Sequence, residues 1–238
     1  MLTPMTPRLV TIPMSHYCEK ARWALDRAGI AYVEEIHAPL ISRLSARGTV
    51  PALVTDDGTF GDSTDILRWV DRRQPLFRDD AAALEERFDT ELGPPARNLS
   101  ILLIAPDRTL SRRVALWGVP GWERFFGSLF FGAALAYLKR MYGIRHDTPV
   151  VALEALRRLF ADVSARLADG RRYLCGGELG AADITFAALA APVILPESEK
   201  SRLPRLHEVG PELRAVVEEL RATPAGAFVL RLYAEDRA

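Results

Sequence analysis

The chain has 238 residues, of which 49% are apolar and 26% are charged, and its 31 basic residues balance 31 acidic ones. This composition is typical of a soluble globular protein with one large or two small domains. The balanced charge, with no basic tail or stripe, argues against nucleic acid as a partner.

The first eighty residues alternate between predicted strands and helices. "RLVTI" (8–12) reads as a strand, and a helical stripe runs from Cys18 to Gly29, a typical helix stop. "AYVEEIH" is a second strand, and "PALVTDDGTFGD" holds a hairpin around Asp56-Asp57-Gly58. "STDILRWVDRR" begins with capping residues and continues as a helix. The order predicts a small α/β unit.

From about Ala81 onward the pattern is helical nearly throughout. The clearest helices are "VVALEALRRLFADVSARLADG", "LGAADITFAALAAPVIL" and "PELRAVVEELRA". We place the boundary after residue 78, which gives an α/β domain over 1–78 and an all-helical domain over 79–238.

The most apolar stretch is "FFGSLFFGAALAYL" (125–138). It is shorter than the roughly 20 residues that span a bilayer, so we expect no membrane insertion. We favour a buried helix, with a surface-anchoring helix as the alternative. The N-terminus shows no basic region followed by an apolar core, and so no signal peptide is expected.

The cysteines and histidines predict neither a disulfide framework nor a metal site. The two cysteines, Cys18 and Cys175, lie in different regions, and the four histidines are scattered. A reducing cytoplasm is the expected location.

The segment "SHYCEKAR" places Ser15 and Cys18 at the spacing of a C-x-x-C motif, between a strand and a helix. Backbone N–H groups at a helix N-terminus favour an anion there. Ser15 can equally be only an N-cap, and Cys18 lies on the apolar stripe, where it fits a small core residue. In thioredoxin-like units a proline faces this loop, and Val50-Pro51 in "TVPALV" supplies one, in either isomer.

Four motifs in order, "SHYCEKAR", "TVPALV", "GDSTDILRW" and "GGELGAADITFAAL", resemble the cytosolic glutathione transferase superfamily over nearly the whole chain. The resemblance implies a thioredoxin-like domain (1–78) followed by an all-helical domain (79–238). It also implies glutathione as co-substrate with no metal, a small hydrophobic electrophile as second substrate and a cytoplasmic homodimer in detoxification.

The resemblance points to Ser15 as the catalytic residue. Cysteine and serine enzymes of the family place it seven residues before a basic residue, here Arg22, whereas tyrosine enzymes place it near the position of Thr11. A hydroxyl there can donate a hydrogen bond to the glutathione thiolate and lower its pKa. His16 and Tyr17 are then expected at the entrance of the glutathione site.

The resemblance also assigns the rest of the glutathione site. Asp62 and Ser63 would hold the γ-glutamyl end, and Val50, with Pro51, would bond the cysteinyl backbone as an added strand does. Arg43 and Arg47 are candidates for the glycyl carboxylate, although "HAPLISRLSARG" is short and reduces the second helix to a turn.

"LGAADI" resembles the family's folding motif, with Gly180 at the N-cap and Asp183 able to accept from preceding backbone N–H groups. We expect this motif to stabilise the fold without a catalytic role.

The second substrate would contact aromatic residues of the helical domain, with Trp117, Trp122 and Phe126 as the chosen candidates beside Phe125 and Tyr142. Core packing or a subunit interface remains open for all of them. Isomerisation, dehalogenation or ligand binding without turnover on the same fold stay open as alternatives.

Overall fold

The computed structural model describes residues 5–46, 48–145 and 147–237, without the side chains of Arg43 and Leu44. Its first part is a four-stranded sheet in the order β2-β1-β3-β4. The strands are β1 (Arg8–Thr11), β2 (Val33–Ile36), β3 (Ala52–Thr55) and β4 (Gly58–Phe60). β1 is parallel to β2 and antiparallel to β3, which pairs antiparallel with β4.

Three helices accompany the sheet: α1 (His16–Arg27), α2 (Ser42–Ala46) and α3 (Ser63–Asp71). The central strands are the most apolar, and Leu9, Val10 and Leu53 are fully buried. α1 packs against α3, and Gly29 ends the α1 segment with a positive φ of 62°, which glycine adopts without strain. The predicted hairpin and the predicted helices α1 and α3 are confirmed. The short helix α2 is little more than the expected turn.

The remainder is helical, as the sequence pattern predicts. Its helices are α4 (Ala81–Glu91), α5 (Gly93–Ile104), α6 (Arg108–Ala115), α7 (Gly121–Leu129), α8 (Phe131–Met141), α9 (Thr148–Arg166), α10 (Ala181–Ile194), α11 (Pro211–Arg221) and α12 (Pro224–Glu235), with short 3-10 turns at Leu167–Asp169 and Leu206–Glu208. The thioredoxin-like unit followed by a helical region confirms the predicted fold class.

α10 is the central helix of the core. Every one of its residues is buried, as expected for a helix that is apolar on all sides. It packs against α1 on one side and against α4, α5, α11 and α12 on the others. Ala181 N–H also donates to the Leu76 carbonyl at 2.8 Å, so the two parts share one core across the predicted boundary. The division after residue 78 itself stays a prediction.

The expectation of one buried helix over residues 125–138 is wrong. Two helices, α7 and α8, meet at Phe130, whose φ of −99° and ψ of 13° leave the helical region. Phe125, Leu129 and Phe130 are 60–66% exposed. The segment is apolar on all sides, but only part of its surface finds packing partners.

Asp183 fixes the start of α10. Its carboxylate accepts from Gly180 N–H at 2.8 Å and from Leu174 N–H at 2.7 Å, and the residue is fully buried. Burial raises the pKa of this carboxyl to about 6. The predicted capping role is confirmed, and it connects the helix to the loop before it.

We expect Asp183→Ala to lower the free energy of unfolding by roughly 2–4 kcal/mol, because two buried N–H groups lose their acceptor. Urea denaturation measures this, with Glu154→Ala on the exposed side of α9 as control. The pKa of Asp183 is higher in the fold than in the unfolded chain, so its protonation favours folding. The difference between parent and variant should therefore grow from pH 7 to pH 5. Equal stabilities of parent and variant would contradict the assignment.

Candidate functional site

Arg22, from the second turn of α1, holds the loop that precedes the helix. Its Nη2 donates to the Ile12 carbonyl at 3.3 Å and its Nε to Glu34 Oε1 at 2.7 Å. Glu34 also accepts from Thr11 Oγ1 at 2.6 Å and from Arg202 Nη1 at 2.8 Å. Burial alone would raise the pKa of Glu34, but the hydrogen bonds from Arg202 and the charge of Arg22 outweigh it and lower the pKa to about 2. The spacing from Arg22 to the loop thus has a structural cause.

Ser15 is the N-cap of α1. Its Oγ accepts from Cys18 N–H at 3.2 Å, and the residue lines a cavity described below. A hydroxyl that accepts one hydrogen bond can still donate its own proton. Cys18 is fully buried, and burial raises the pKa of its thiol. The serine is thus the partly exposed member of the pair and the cysteine the enclosed one.

His16 and Tyr17 point from α1 toward the junction of α4 and α5. His16 Nε2 donates to the Gly93 carbonyl at 3.1 Å, and Tyr17 Oη donates to the Asp89 carbonyl at 3.0 Å. Burial, with the nearby charge of Arg97, lowers the pKa of His16 to about 3. Burial raises the pKa of Tyr17. Both residues line the cavity, but these two polar atoms are engaged with backbone.

Gly93 leaves the space that Tyr17 occupies. A Cβ built on Gly93 would overlap Tyr17 Oη, so the first turn of α1 approaches the α4–α5 junction closely. This contact fixes how the loop of Ser15 lies against the helical part.

Lys20 joins three helices beneath the site. Its ammonium is fully buried and donates to Thr64 Oγ1 of α3 at 3.1 Å. It also donates to Asp89 Oδ1 of α4 at 2.6 Å and to the carboxylate of Glu85. The N-terminal turns of α1 and α3 are thereby held against the same face of α4.

Asp62 and Ser63 form the N-terminus of α3. Asp62 is the N-cap, and its Oδ1 accepts from Thr64 N–H at 2.7 Å while the residue stays exposed. Ser63 is 1% exposed, and its Oγ has no hydrogen-bond partner among the described residues. Both line the same cavity as Ser15.

Val50 and Pro51 precede β3, and the peptide bond between them is cis. Both residues line the cavity next to Ser63 and Asp62. The structure therefore brings together Ser15, His16, Tyr17, Val50, Pro51, Asp62 and Ser63 around one space. The basic candidates Arg43 and Arg47 lie outside the described side chains.

The cavity has a volume of about 540 Å³. Its polar side is made by the residues just named. Its other side is mostly apolar and comes from α5 to α8: Ile101, Ile104, Val114, Ala115, Leu116, Phe126, Phe130, Phe131, Ala134, Leu135, Leu138 and Met141. A polar end beside a large apolar wall is the usual design of a small-molecule site.

The predicted aromatic contacts divide into two groups. Phe126 lines the cavity, as does Tyr142, whereas Trp117, Trp122 and Phe125 do not. Trp117 is 50% exposed and lies under the guanidinium of Arg202 at 4.9 Å, and Trp122 is 58% exposed.

Arg97 is a cavity residue that the sequence analysis missed. It lies on α5, with its guanidinium 3.8 Å from the centre of the Tyr142 ring. It is the only charged residue between Glu91 and Asp107. That isolation within an apolar helix was the available signal.

Among the described residues, no three His, Cys, Asp or Glu side chains cluster as a metal site would require. No helix in that part of the chain has the length and apolar character needed to cross a membrane.

Comparison with known families matches residues 9–82 to the glutathione S-transferase N-terminal domain. The comparison with curated proteins finds no match.

Solved structures similar to this one cover nearly all of the chain at low identity. The glutathione transferase GSTFuA3 from Phanerochaete chrysosporium has a TM-score of 0.63 at 16% identity, covering 98% of this chain and 97% of its own. The beta-etherase LigF from Sphingobium sp. strain SYK-6 has a TM-score of 0.57 at 17% identity, covering 95% and 99%. A glutathione S-transferase from Rhodospirillum rubrum F11 has a TM-score of 0.54 at 19% identity, covering 98% of this chain and 100% of its own. The chain thus has a glutathione S-transferase type N-terminal domain, and the 95–98% of its length that the comparisons cover adopts the fold of these proteins.

We expect the imidazole of His16 to remain neutral from pH 8 to pH 5, because burial lowers its pKa to about 3. Its NMR shifts should stay constant over that range. A pKa that falls from about 6.5 in the unfolded chain gives stability that is present above pH 6.5 and is lost as pH falls toward 3. The parent should therefore lose more free energy of unfolding from pH 7 to pH 4 than His16→Gln does. A titration midpoint near 6.5 for His16 would refute the assignment.

Proposed function

We propose that the protein is a glutathione transferase in which Ser15 stabilises the thiolate of bound glutathione for attack on a hydrophobic electrophile. The observation that carries the proposal is that the N-termini of α1 and α3 open onto one cavity, each with a serine, and that Ser63 Oγ is buried with no partner among the described residues. Helix N-termini favour anions, and glutathione carries two suitable ones, the thiolate and the γ-glutamyl carboxylate.

The γ-glutamyl end fits the start of α3. The hydroxyl of Ser63 and the neighbouring N–H groups would bind its carboxylate, and the exposed carboxylate of Asp62 would meet its ammonium group. Val50, with the cis Pro51, would bond the cysteinyl backbone from the start of β3. Arg43 or Arg47 would contact the glycyl carboxylate. His16 and Tyr17 would shape this site through packing, since the polar atoms described above bond to backbone.

The choice of Ser15 as the catalytic residue is supported by what its neighbours do. Thr11, at the position of a catalytic tyrosine, donates to Glu34 and does not line the cavity. The hydroxyl proton of Tyr17 is donated to the Asp89 carbonyl, and the thiol of Cys18 is enclosed with its pKa raised. Among the hydroxyl and thiol groups of the segment 15–18, that of Ser15 combines a place on the cavity wall with a helix N-terminus and a proton that is not donated to another described group.

The electrophile would occupy the apolar side of the cavity, against Phe126 and the faces of α5, α6 and α8. Trp117 and Trp122, which do not line it, remain candidates only for a more closed arrangement. A cytoplasmic homodimer, as the family resemblance implies, is part of the proposal.

Two other functions would use the same glutathione site. Glutathione binding with no conjugation across a panel of electrophiles would identify a binding protein. Glutathione-dependent release of halide or isomerisation, without net conjugation, would identify the enzymatic alternative.

We expect Ser15→Ala to raise the pKa of the bound glutathione thiol by about 1–2 units, because one hydrogen bond to the thiolate is lost. The ultraviolet absorbance of the thiolate, followed against pH, measures this, and Ser15→Thr, which keeps the hydroxyl, is the control. Calorimetry should give a nearly unchanged glutathione Kd. An unchanged thiol pKa, or activity lost in Cys18→Ala but kept in Ser15→Ala, would overturn the role of Ser15.

Ser63→Ala should weaken glutathione binding by about tenfold or more, because a hydrogen bond to a carboxylate is lost. The thiol pKa of the bound glutathione should not change, which is the opposite pattern to Ser15→Ala. Thr59→Ala, on exposed β4, is the control for calorimetry. An unchanged Kd in Ser63→Ala would contradict the site.

A further inference from the structure

Arg97 presents a cation to the cavity and has no carboxylate partner among the residues that the structure describes. Within the described part of the chain it forms no salt bridge; its Nε donates to Asn98 Oδ1 at 3.2 Å, and its guanidinium lies over the Tyr142 ring. Tyr142 follows α8, so the stacking joins α5 to the end of α8, and both helices contribute residues to the cavity lining.

The neighbouring polar groups do not neutralise this charge. Of the two acidic residues that line the cavity among the described residues, Asp89 is bonded to Lys20 at 2.6 Å and Asp62 accepts from Thr64 N–H at 2.7 Å. His16 is neutral, and Tyr17 donates its proton to a backbone carbonyl. Arg97 therefore lies in mainly apolar surroundings, and within the described part of the chain no carboxylate forms a salt bridge with it.

A second polar group on the same wall lacks a partner. Ser111 of α6 is 7% exposed, and its Oγ has no hydrogen-bond partner among the described residues. It lines the cavity together with Arg97. Buried polar groups are normally satisfied, and an unpaired guanidinium beside apolar surface binds carboxylates and sulfonates strongly.

We propose that Arg97 selects second substrates that combine an apolar, aromatic body with an anionic group, a carboxylate or a sulfonate. The apolar body would lie against α6 to α8 and the anion against Arg97, which Tyr142 holds in place by stacking. The inference deepens the proposed function and rests on it, since the anion is assigned to the second substrate of that reaction.

The test uses binding, so that it does not depend on turnover. The fluorescent probes 1-anilinonaphthalene-8-sulfonate and N-phenyl-1-naphthylamine differ by one sulfonate. Arg97→Met leaves an unbranched side chain without the charge and should weaken binding of the sulfonated probe by about tenfold or more, whereas binding of the neutral probe should change by no more than about twofold. Arg140→Met removes an equal charge from exposed α8, outside the cavity lining, and should change neither.

Arg97→Lys is the second variant, since it keeps the charge and should retain the preference for the sulfonated probe even if Arg97→Met does not fold. Thermal unfolding of each variant identifies a structural loss. Equal weakening of both probes in a folded variant, or no weakening of either, overturns the proposal.

Calorimetry with S-methylglutathione separates this inference from the proposed function. A parent that binds the sulfonated probe through Arg97 but not S-methylglutathione refutes the glutathione site and with it the assignment of the anion to a second substrate. A variant that loses S-methylglutathione affinity instead of probe affinity assigns Arg97 to glutathione and overturns the inference alone.

Discussion

The buried ammonium of Lys20 is the contact on which the candidate site depends. An ammonium group without partners in the interior would cost several kcal/mol, so its bonds to Thr64, Glu85 and Asp89 are required for folding rather than incidental. The side chains of Lys20 and Glu85 are almost fully enclosed, and burial raises the pKa of Asp89 beside them. One cation thus sets the distance between the first turns of α1 and α3, the two helix ends that face the cavity.

In the candidate site, the helix N-termini and the titratable side chains have different roles. The two helix N-termini supply positive potential that needs no titratable group, and the side chains of Ser15 and Asp62 cap them. In the same segment, His16 and Tyr17 form hydrogen bonds to backbone carbonyls, and Cys18 is buried in the core. In the proposed function the nucleophile is the thiolate of glutathione, so no side chain of the protein has to act as a nucleophile.

The sequence was sufficient for the fold because its signals are local. Caps, glycine stops and the Asp57-Gly58 hairpin each act over a few residues, and they predicted the sheet, α1, α3 and α10. Arg97 and Lys20 could not be assigned in the same way, since their roles come from partners 44 to 69 residues away or from a cavity that only the folded chain encloses. The prediction of a buried helix over 125–138 is wrong because apolar composition alone does not specify which face of a helix packs against a neighbour.

Gly93 gives the contact between the two parts of the chain an evolutionary consequence. Its carbonyl receives His16, and its missing side chain makes room for Tyr17. In relatives with this packing, a larger residue at position 93 should therefore occur only with a smaller one at position 17. The two positions should vary as a pair, although 76 residues separate them in the sequence.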